Sequence, residues 1–179
     1  MSNPLLQPQP LPVYSQFRAE LIEPALDQLL AQNRQRIAEL IAQPPQGDTA
    51  LVEQLLKLEQ WDDELDQFWS PVSHLNGVKN TAELRESYNK CLPKLTEYGT
   101  EMGQNKGLYQ LYKTLADSDS YATLGTDWQQ AISNALRDFT LSGIALDDDK
   151  QRRYGEISRR LAELSTQFSN NVLDATQGW

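Results

Sequence analysis

The last third of the chain carries a long run of apolar positions that recur every three or four residues. They are Tyr154, Ile157, Leu161, Leu164, Phe168, Val172 and Ala175. This spacing places them along one side of a helix that is predicted to occupy most of the stretch from Leu146 to Trp179. Asp147 or Asp148 is predicted to cap its start, because a carboxylate accepts the free N–H groups at a helix N-terminus. A helix with one apolar side needs a partner surface.

Two further amphipathic patterns lie in the first half of the chain. One predicts a helix over Ala19–Ala42, and a break at Pro44 and Pro45 separates it from a second helix that runs from Asp48 to about Trp69. The next eleven residues, 70–80, contain proline and glycine and are predicted to form a loop. The inward positions of the two helices are Ile22, Leu26, Leu29, Ile37, Leu40, Ile41, Leu51, Leu55, Leu58, Leu65 and Phe68.

The most regular pattern predicts a third helix over Ala82–Met102. Its apolar positions are Leu84, Tyr88, Cys91, Leu95, Tyr98 and Met102. Pro93 lies inside this pattern and is predicted to bend the helix near Asn89, because proline lacks an N–H and clashes with the preceding turn. Asn80 and Glu83 have the spacing of a capping box at its start.

Two shorter helices are predicted over Leu108–Ala116 and Asp127–Leu141. Thr126 and Gln129 have the spacing of a second capping box. Gly143 is predicted to end the fifth helix and lead into the last one. No pattern of period two and no repeat of solenoid length is present, so the sequence predicts an all-α fold, a helical bundle of roughly six helices.

The N-terminal segment is rich in proline, with Pro4, Pro8, Pro10 and Pro12 in the first twelve residues. Such spacing predicts an extended arm over residues 1–17, followed by helices over residues 18–179. The arm also contains apolar side chains that could bury themselves as a strap on the surface: Leu5, Leu6, Leu11 and Val13. A chain of 179 residues is long enough for a single helical domain over 1–179 with its own core.

Charge and cysteine content narrow the function classes. The chain has 16 Lys and Arg against 25 Asp and Glu, a formal net charge of −9 at pH 7. This charge opposes binding to nucleic acid or to an anionic membrane, and neither is a predicted partner. A single cysteine cannot form an internal disulfide, and no leader or long uncharged apolar run is present. We therefore predict a cytoplasmic protein.

Candidate reactive residues are few. The only histidine, His74, falls in the predicted loop beside Ser73, where adjacent residues rarely reach the orientation of a catalytic triad. Cys91 lies on the apolar stripe of helix three and is interpreted as a small buried hydrophobe. The three acids at 147–149 lack the glycine and glutamate of a calcium loop. The sequence therefore predicts no catalytic, cofactor-binding or metal-binding residue.

The apolar face of helix two is wider than one neighbouring helix would cover, so this helix is predicted to contact two other helices or a surface absent from this chain. The residues predicted to be exposed there and at the end of the last helix are Leu56, Trp61, Trp69, Val172, Leu173 and Trp179. Exposed apolar patches above a few hundred Å² tend to find a partner. We expect self-association of the isolated chain through these residues.

Several stretches together form a recognisable set of motifs. They are Asn3–Leu6, Phe68–Asn80, Glu83–Glu86, Asn134–Phe139, Leu141–Ile144, Tyr154–Ile157 and Phe168–Thr176. In register across essentially the whole chain, this set closely resembles the N-terminal region of the thimet oligopeptidase family of zinc metallopeptidases.

The resemblance implies a place in a larger, mostly helical, cytoplasmic peptidase. Such enzymes have a deep channel between two halves that admits short peptides, and a His-Glu-x-x-His helix with a downstream Glu that binds zinc in the C-terminal half. A chain with one histidine cannot contain that motif. The expected function is therefore the channel-wall region of a zinc metalloendopeptidase, with zinc in the parent and none bound by this inactive fragment. Its expected partners are short peptides and the missing C-terminal catalytic half.

The residues alone leave a second function open. A helical module that ends naturally near residue 179 could serve as a self-contained protein-interaction module without catalytic activity. The last helix shows no firm stop signal other than Gly178, which favours a chain that continues.

Overall fold

Six α-helices account for most of the part of the chain that the structure describes. A computed structural model describes residues 3–7 and 11–177. The helices, α1 to α6 in order, are Ala19–Ala42, Asp48–Val78, Ala82–Gly103, Lys106–Ala116, Thr126–Leu141 and Asp148–Gln177. Short 3-10 turns occupy Pro4–Leu6, Tyr14–Gln16 and Asp119–Thr123, and the described residues contain no strand. The predicted all-α fold is confirmed, as are the bounds of the first helix.

Two hydrophobic cores share the helices α1 and α2. The first core joins the C-terminal half of α1 and the start of α2 to α4 and α5. Its buried residues are Ile37, Leu40, Leu51, Leu55, Leu58, Leu108, Leu111, Leu115, Ile132, Phe139 and Ile144. The second core joins the N-terminal half of α1 and the end of α2 to α3. Its buried residues are Ile22, Ala25, Leu26, Leu29, Leu30, Phe68, Val72, Leu84, Cys91 and Tyr98.

Helix α2 continues through Pro71, where the sequence predicted a loop. The missing N–H and the ring clash of a helix-interior proline cost about 3 kcal/mol. The side chains of Phe68 and Val72, 4% and 0% exposed, pack in the second core, and the Pro71 ring is buried beside them. Burial of a large apolar side chain contributes roughly 1.5–3 kcal/mol, so the tertiary contacts offset the proline. The helix ends only at Val78.

Asn80 lies two residues after the end of α2 and does not cap α3. Its backbone lies in the left-handed region, at φ 40°, which asparagine tolerates better than most residues. Its N–H donates to the Leu75 carbonyl at 3.2 Å, and its Nδ2 donates to the Asn76 carbonyl at 2.6 Å. The neighbouring Thr81 caps α3 instead, because its Oγ1 accepts from the N–H of Leu84 at 3.3 Å. The predicted capping box was one residue early.

The predicted capping box at Thr126 is wrong for a different reason. Helix α5 begins at Thr126 itself after Gly125, and no side chain there caps the first turn. The Nε2 of Gln129 donates back to the carbonyl of Leu124 at 2.9 Å, in the preceding turn. At the other end, Gly143 has φ 85° and ends α5, as predicted.

Helix α3 runs without a break through Pro93. Leu84, Cys91 and Tyr98 are all buried, so the apolar register persists on both sides of the proline as predicted. The bend near Asn89 stays a prediction.

Only part of the N-terminal arm packs on the surface of the helices. Its described parts form 3-10 turns and are not extended throughout. Leu5 and Leu6 pack against the second core, and the Asn3 Nδ2 donates to the Leu21 carbonyl at 2.8 Å. Leu11, expected to be buried, is 76% exposed. Residues 8–10 lie outside the described part, with two of the prolines that suggested the arm.

The first core predicts a large difference between two leucine truncations. Leu115 is 0% exposed and Leu141 is 68% exposed. We expect Leu115→Ala to lower the free energy of unfolding by about 2–5 kcal/mol, because it leaves a cavity. The control Leu141→Ala should change it by less than about 0.5 kcal/mol. Urea unfolding followed by circular dichroism measures both values. Similar values for the two variants would contradict the assignment of the core.

Candidate functional site

The described residues assemble no metal centre. Nowhere in 3–7 and 11–177 do three or more His, Cys, Asp or Glu side chains come together in a group that could hold a metal ion. A catalytic zinc usually needs three such ligands. The donor set therefore does not fit the zinc that the family resemblance implies for the parent enzyme.

His74 lies on α2 and not in a loop, which corrects the prediction from sequence. It is exposed, and its ring centroid is 5.9 Å from that of Tyr14 in the N-terminal segment. Ser73 is its neighbour on the same helix. Successive helical residues point about 100° apart, so the two side chains do not face each other as a nucleophile and base. The contact with Tyr14 gives His74 a surface packing role.

Cys91 is fully buried in the second core. Burial, together with the smaller effect of the nearby Glu23 carboxylate, raises the pKa of its thiol to about 11. A nucleophilic cysteine requires a lowered pKa and access to solvent. The interpretation of Cys91 as a small buried hydrophobe is confirmed.

The acidic triplet before α6 acts at a helix N-terminus. Asp147 Oδ1 accepts from the backbone N–H of Lys150 at 2.9 Å, as an N-cap does. Asp148 and Asp149 lie in the first turn, where negative charge favours the positive end of the helix dipole. The predicted capping role is confirmed for Asp147.

A recess of about 890 Å³ lies between the N-terminal segment and the helices α1 and α2. Its wall includes the ion pair between Arg36 and Glu64, whose Nη1 and Oε2 atoms are 2.8 Å apart. Residues 8–10 connect two of its lining segments and lie outside the described structure.

Helix α6 packs on α3 through a side made mainly of small and polar residues. The half-buried positions there include Gly155, Ala162, Thr166 and Asn170. A Cβ added at Gly155 would lie 3.6 Å from Thr100 Cγ2, an ordinary contact distance. Small side chains allow the two helix backbones to approach without a large apolar layer between them.

The apolar stripe of α6 lies on a different side and is open to solvent. Its exposed members, which we call the outer stripe, are Ile157 (45% exposed), Leu161 (60%), Leu164 (43%), Phe168 (70%) and Val172 (50%). At about 100° per residue, the outer stripe is centred roughly a third of the circumference away from the side that contacts α3. The sequence predicted that this apolar side packs on a partner surface. That surface is not among the described residues.

The apolar face predicted on α2 is mostly covered. Trp69 stacks on Tyr88 with ring centroids 5.0 Å apart. Trp61 packs against the first core, and the guanidinium of Arg36 lies 5.5 Å from its ring centroid. Only Leu56 is exposed as predicted, at 44%. The prediction of a broad exposed face on α2 was wrong because α1 and α3 cover both tryptophans.

The end of the last helix also differs from the prediction. Val172 is exposed as expected, but Leu173 is half-buried. Trp179 lies outside the described residues. Among the described residues, five exposed apolar side chains lie together in the outer stripe, which runs along the middle of α6.

Polar contacts hold both ends of α6 in place. Near the C-terminal end, Arg85 of α3 donates from Nη1 and Nη2 to the two carboxylate oxygens of Asp174, at 2.9 and 2.5 Å. The Arg85 Nε donates to Asn80 Oδ1 at 2.6 Å, which fixes the guanidinium plane. These hydrogen bonds keep the pKa of Asp174 below its usual value. At the other end, Gln151 Nε2 donates to the Gly143 carbonyl at 3.2 Å.

The geometry thus defines an all-α domain with an exposed apolar helix side and no reaction centre among its described residues. No helix in the described part of the chain is both long and apolar enough to cross a bilayer. The family described as "Neurolysin/Thimet oligopeptidase, N-terminal domain" matches residues 26–151. The chain belongs to this family, which confirms the resemblance read from its motifs.

Bacterial and plant relatives are similar to this chain over all or nearly all of its length. Oligopeptidase A of Haemophilus influenzae is 51% identical over 179 residues, which is 100% of this chain and 26% of that protein. Oligopeptidase A of Escherichia coli is 51% identical over 180 residues, with the same shares. A probable cytosolic oligopeptidase A of Arabidopsis thaliana is 34% identical over 98% of this chain. The chain spans about a quarter of the length of these relatives.

The buried thiol gives a first prediction for this region. At about pH 8, a thiol with a pKa of about 11 is ionised in only about a thousandth of molecules. We expect iodoacetamide to modify Cys91 in the folded chain at least about 100-fold more slowly than in urea. Because the folded thiol keeps its proton and the unfolded thiol loses it, the free energy of unfolding should fall as the pH rises from about 8.5 towards 11. A Cys91→Ala control should show no labelling, and equal rates in the two states would contradict the burial.

The contact between Arg85 and Asp174 gives a second prediction. Arg85→Ala removes both hydrogen bonds to Asp174, so the last turns of α6 should open more often. Amide hydrogen exchange should become faster at residues 170–176 and stay unchanged near Gly155. The control Arg160→Ala removes a contact within α6, to Glu163, and should leave α6 held on α3. Unchanged exchange at 170–176 in Arg85→Ala would show that this contact does not hold the helix end.

Proposed function

We propose that this chain is the N-terminal, channel-wall domain of a zinc metalloendopeptidase of the oligopeptidase A type that hydrolyses short peptides. The observation that carries the proposal is identity of about half of all residues to bacterial oligopeptidase A over the entire chain. The family match over residues 26–151 supports the same conclusion independently. The name of these relatives supplies the substrate class, which is oligopeptides.

The proposal assigns the chemistry to a part of the polypeptide beyond these residues. The family resemblance implies zinc held by a His-Glu-x-x-His helix and a further Glu. Residues 1–179 contain one histidine and cannot contain that motif. The metal would polarise the peptide carbonyl and its bound water in the parent enzyme. This chain contributes no ligand to it.

The role left to this domain is to shape the channel and restrict access to it. A rigid helical wall can exclude folded proteins and admit short unstructured peptides. Helices α1 and α2 contribute to both cores, which supports one domain over 1–179. The net charge of −9 opposes binding to nucleic acid or to an anionic membrane. The proposed location of the enzyme is the cytoplasm.

A self-contained helical interaction module is the alternative, and the exposed outer stripe of α6 is the observation that favours it. The two functions differ in what the gene encodes after Trp179. A reading frame that continues into His-Glu-x-x-His supports the peptidase. A stop codon there supports the interaction module.

Metal analysis and peptide cleavage test the proposed division of labour. We expect the purified 179-residue chain to contain no stoichiometric zinc and to leave a quenched fluorescent peptide intact. The full-length polypeptide should contain about one zinc per chain and cleave the same peptide in a reaction that a chelator stops. Zinc and chelator-sensitive cleavage in the 179-residue chain would contradict the proposal, as would their absence from the full-length protein.

A further inference from the structure

The outer stripe of α6 differs from the apolar sides of the other helices. Its five members are between 43% and 70% exposed, whereas α1 to α5 all contribute residues to the two buried cores. From Ile157 to Val172 the outer stripe runs for about 22 Å along the helix. Isolated exposed leucines are ordinary, but a continuous apolar side of four turns marks a contact surface.

We propose that the outer stripe is the surface on which the remaining part of the same polypeptide docks, through an apolar face of its own. The inference rests on the proposed function, because it requires a longer chain. It adds the residues that form the contact and the chemistry of the partner surface.

The size of the outer stripe suits a contact between two parts of one chain. Its side chains together expose several hundred Å² of apolar surface, comparable to the largest patch on a typical monomer, about 300–600 Å². Interfaces between domains of one chain bury about 600–1,500 Å² in total. The outer stripe can therefore supply the apolar centre of such an interface.

The charges around the outer stripe favour an apolar, uncharged partner. Helix α6 has five basic and five acidic residues, so it contributes nothing to the net charge of −9. Arg153 and Arg160 flank the outer stripe and are paired within α6, to Glu156 and Glu163, at 2.9 and 3.0 Å. Because these two arginines are already paired, an apolar partner surface can pack on the outer stripe without leaving either of them as an unpaired charge.

The remaining polypeptide is a better occupant than a second copy of the chain. The relatives are about four times as long as this chain, so most of their length is available to cover the outer stripe. A covalently linked segment is present at an effective concentration of about millimolar, which exceeds that of a second copy at micromolar concentration. A second copy also brings another net charge of −9.

The way α6 is held prepares the outer stripe for docking. Arg85 and Gln151 fix the two ends of the helix through Asp174 and Gly143, and the small residues in between pack on α3. The apolar side chains are therefore presented on a fixed helix, and less conformational freedom is lost when a partner binds.

Cysteine labelling compares the outer stripe in the short and the full-length protein. Leu161→Cys and Phe168→Cys place a thiol on the outer stripe. Arg160→Cys and Gln167→Cys, each one residue earlier, place it on the charged side of α6, where both native residues are exposed. The native Cys91 is buried and gives a slow background. Each variant is made in the 179-residue chain and in the full-length polypeptide, and labelled with a maleimide.

All four thiols should react rapidly in the 179-residue chain at low concentration. In the full-length protein we expect the outer-stripe thiols to react at least about 100-fold more slowly, and the control thiols to keep their rates. The protection should not change on dilution, because the partner is part of the same chain. Circular dichroism of each variant confirms that its helices remain folded.

Two results would overturn the inference. Rapid labelling of the outer-stripe thiols in a full-length protein that cleaves peptides would show that the stripe stays exposed, while the proposed function stands. Protection that is lost on dilution would show that a second copy, and not the same chain, covers the stripe. A full-length protein without zinc or cleavage would instead contradict the proposed function.

Discussion

Burial of α1 along its whole length is the constraint on which the rest of the structure depends. Ile22, Ala25 and Leu26 are completely buried in the second core, and Ile37 and Leu40 in the first core are 5% and 7% exposed. A helix surrounded in this way needs neighbours on several sides, and α2, α3 and α4 supply them. The two cores cannot separate without exposing the helix that they share.

One buried polar side chain marks the place where the two cores meet. Asn33 is 0% exposed, and its Nδ2 donates to the Trp61 carbonyl of α2 at 3.3 Å. Its Oδ1 accepts from Arg36 at 3.4 Å, and Arg36 also pairs with Glu64 of α2. A buried amide without hydrogen-bond partners destabilises the folded state. The contact therefore favours the one register of α1 on α2 in which Asn33 keeps its partners. Trp61, which the sequence predicted to be exposed, is held in place by these contacts.

The same arrangement explains why α6 differs from the other helices. Helices α1 to α5 bury apolar side chains in the two cores. Helix α6 instead contacts the bundle through α3 and through polar contacts at its ends. Its apolar side is left for a surface that the described residues do not supply. In a domain proposed to form one wall of a larger enzyme, such a side is the expected place for a junction between parts of the chain.

The sequence by itself determined the number and order of the helices, the residues that face inward in α1 and α3, and the lack of a zinc motif. These follow from local spacing and from counting ligands. Tertiary structure alone decided that α2 passes through Pro71, because burial of Phe68 and Val72 outweighs the local preference of proline. It also decided which tryptophans are covered and which side of α6 stays exposed. A periodic pattern shows that a side is apolar, but only packing shows what covers it, because contacts between residues far apart in sequence leave no mark on local spacing.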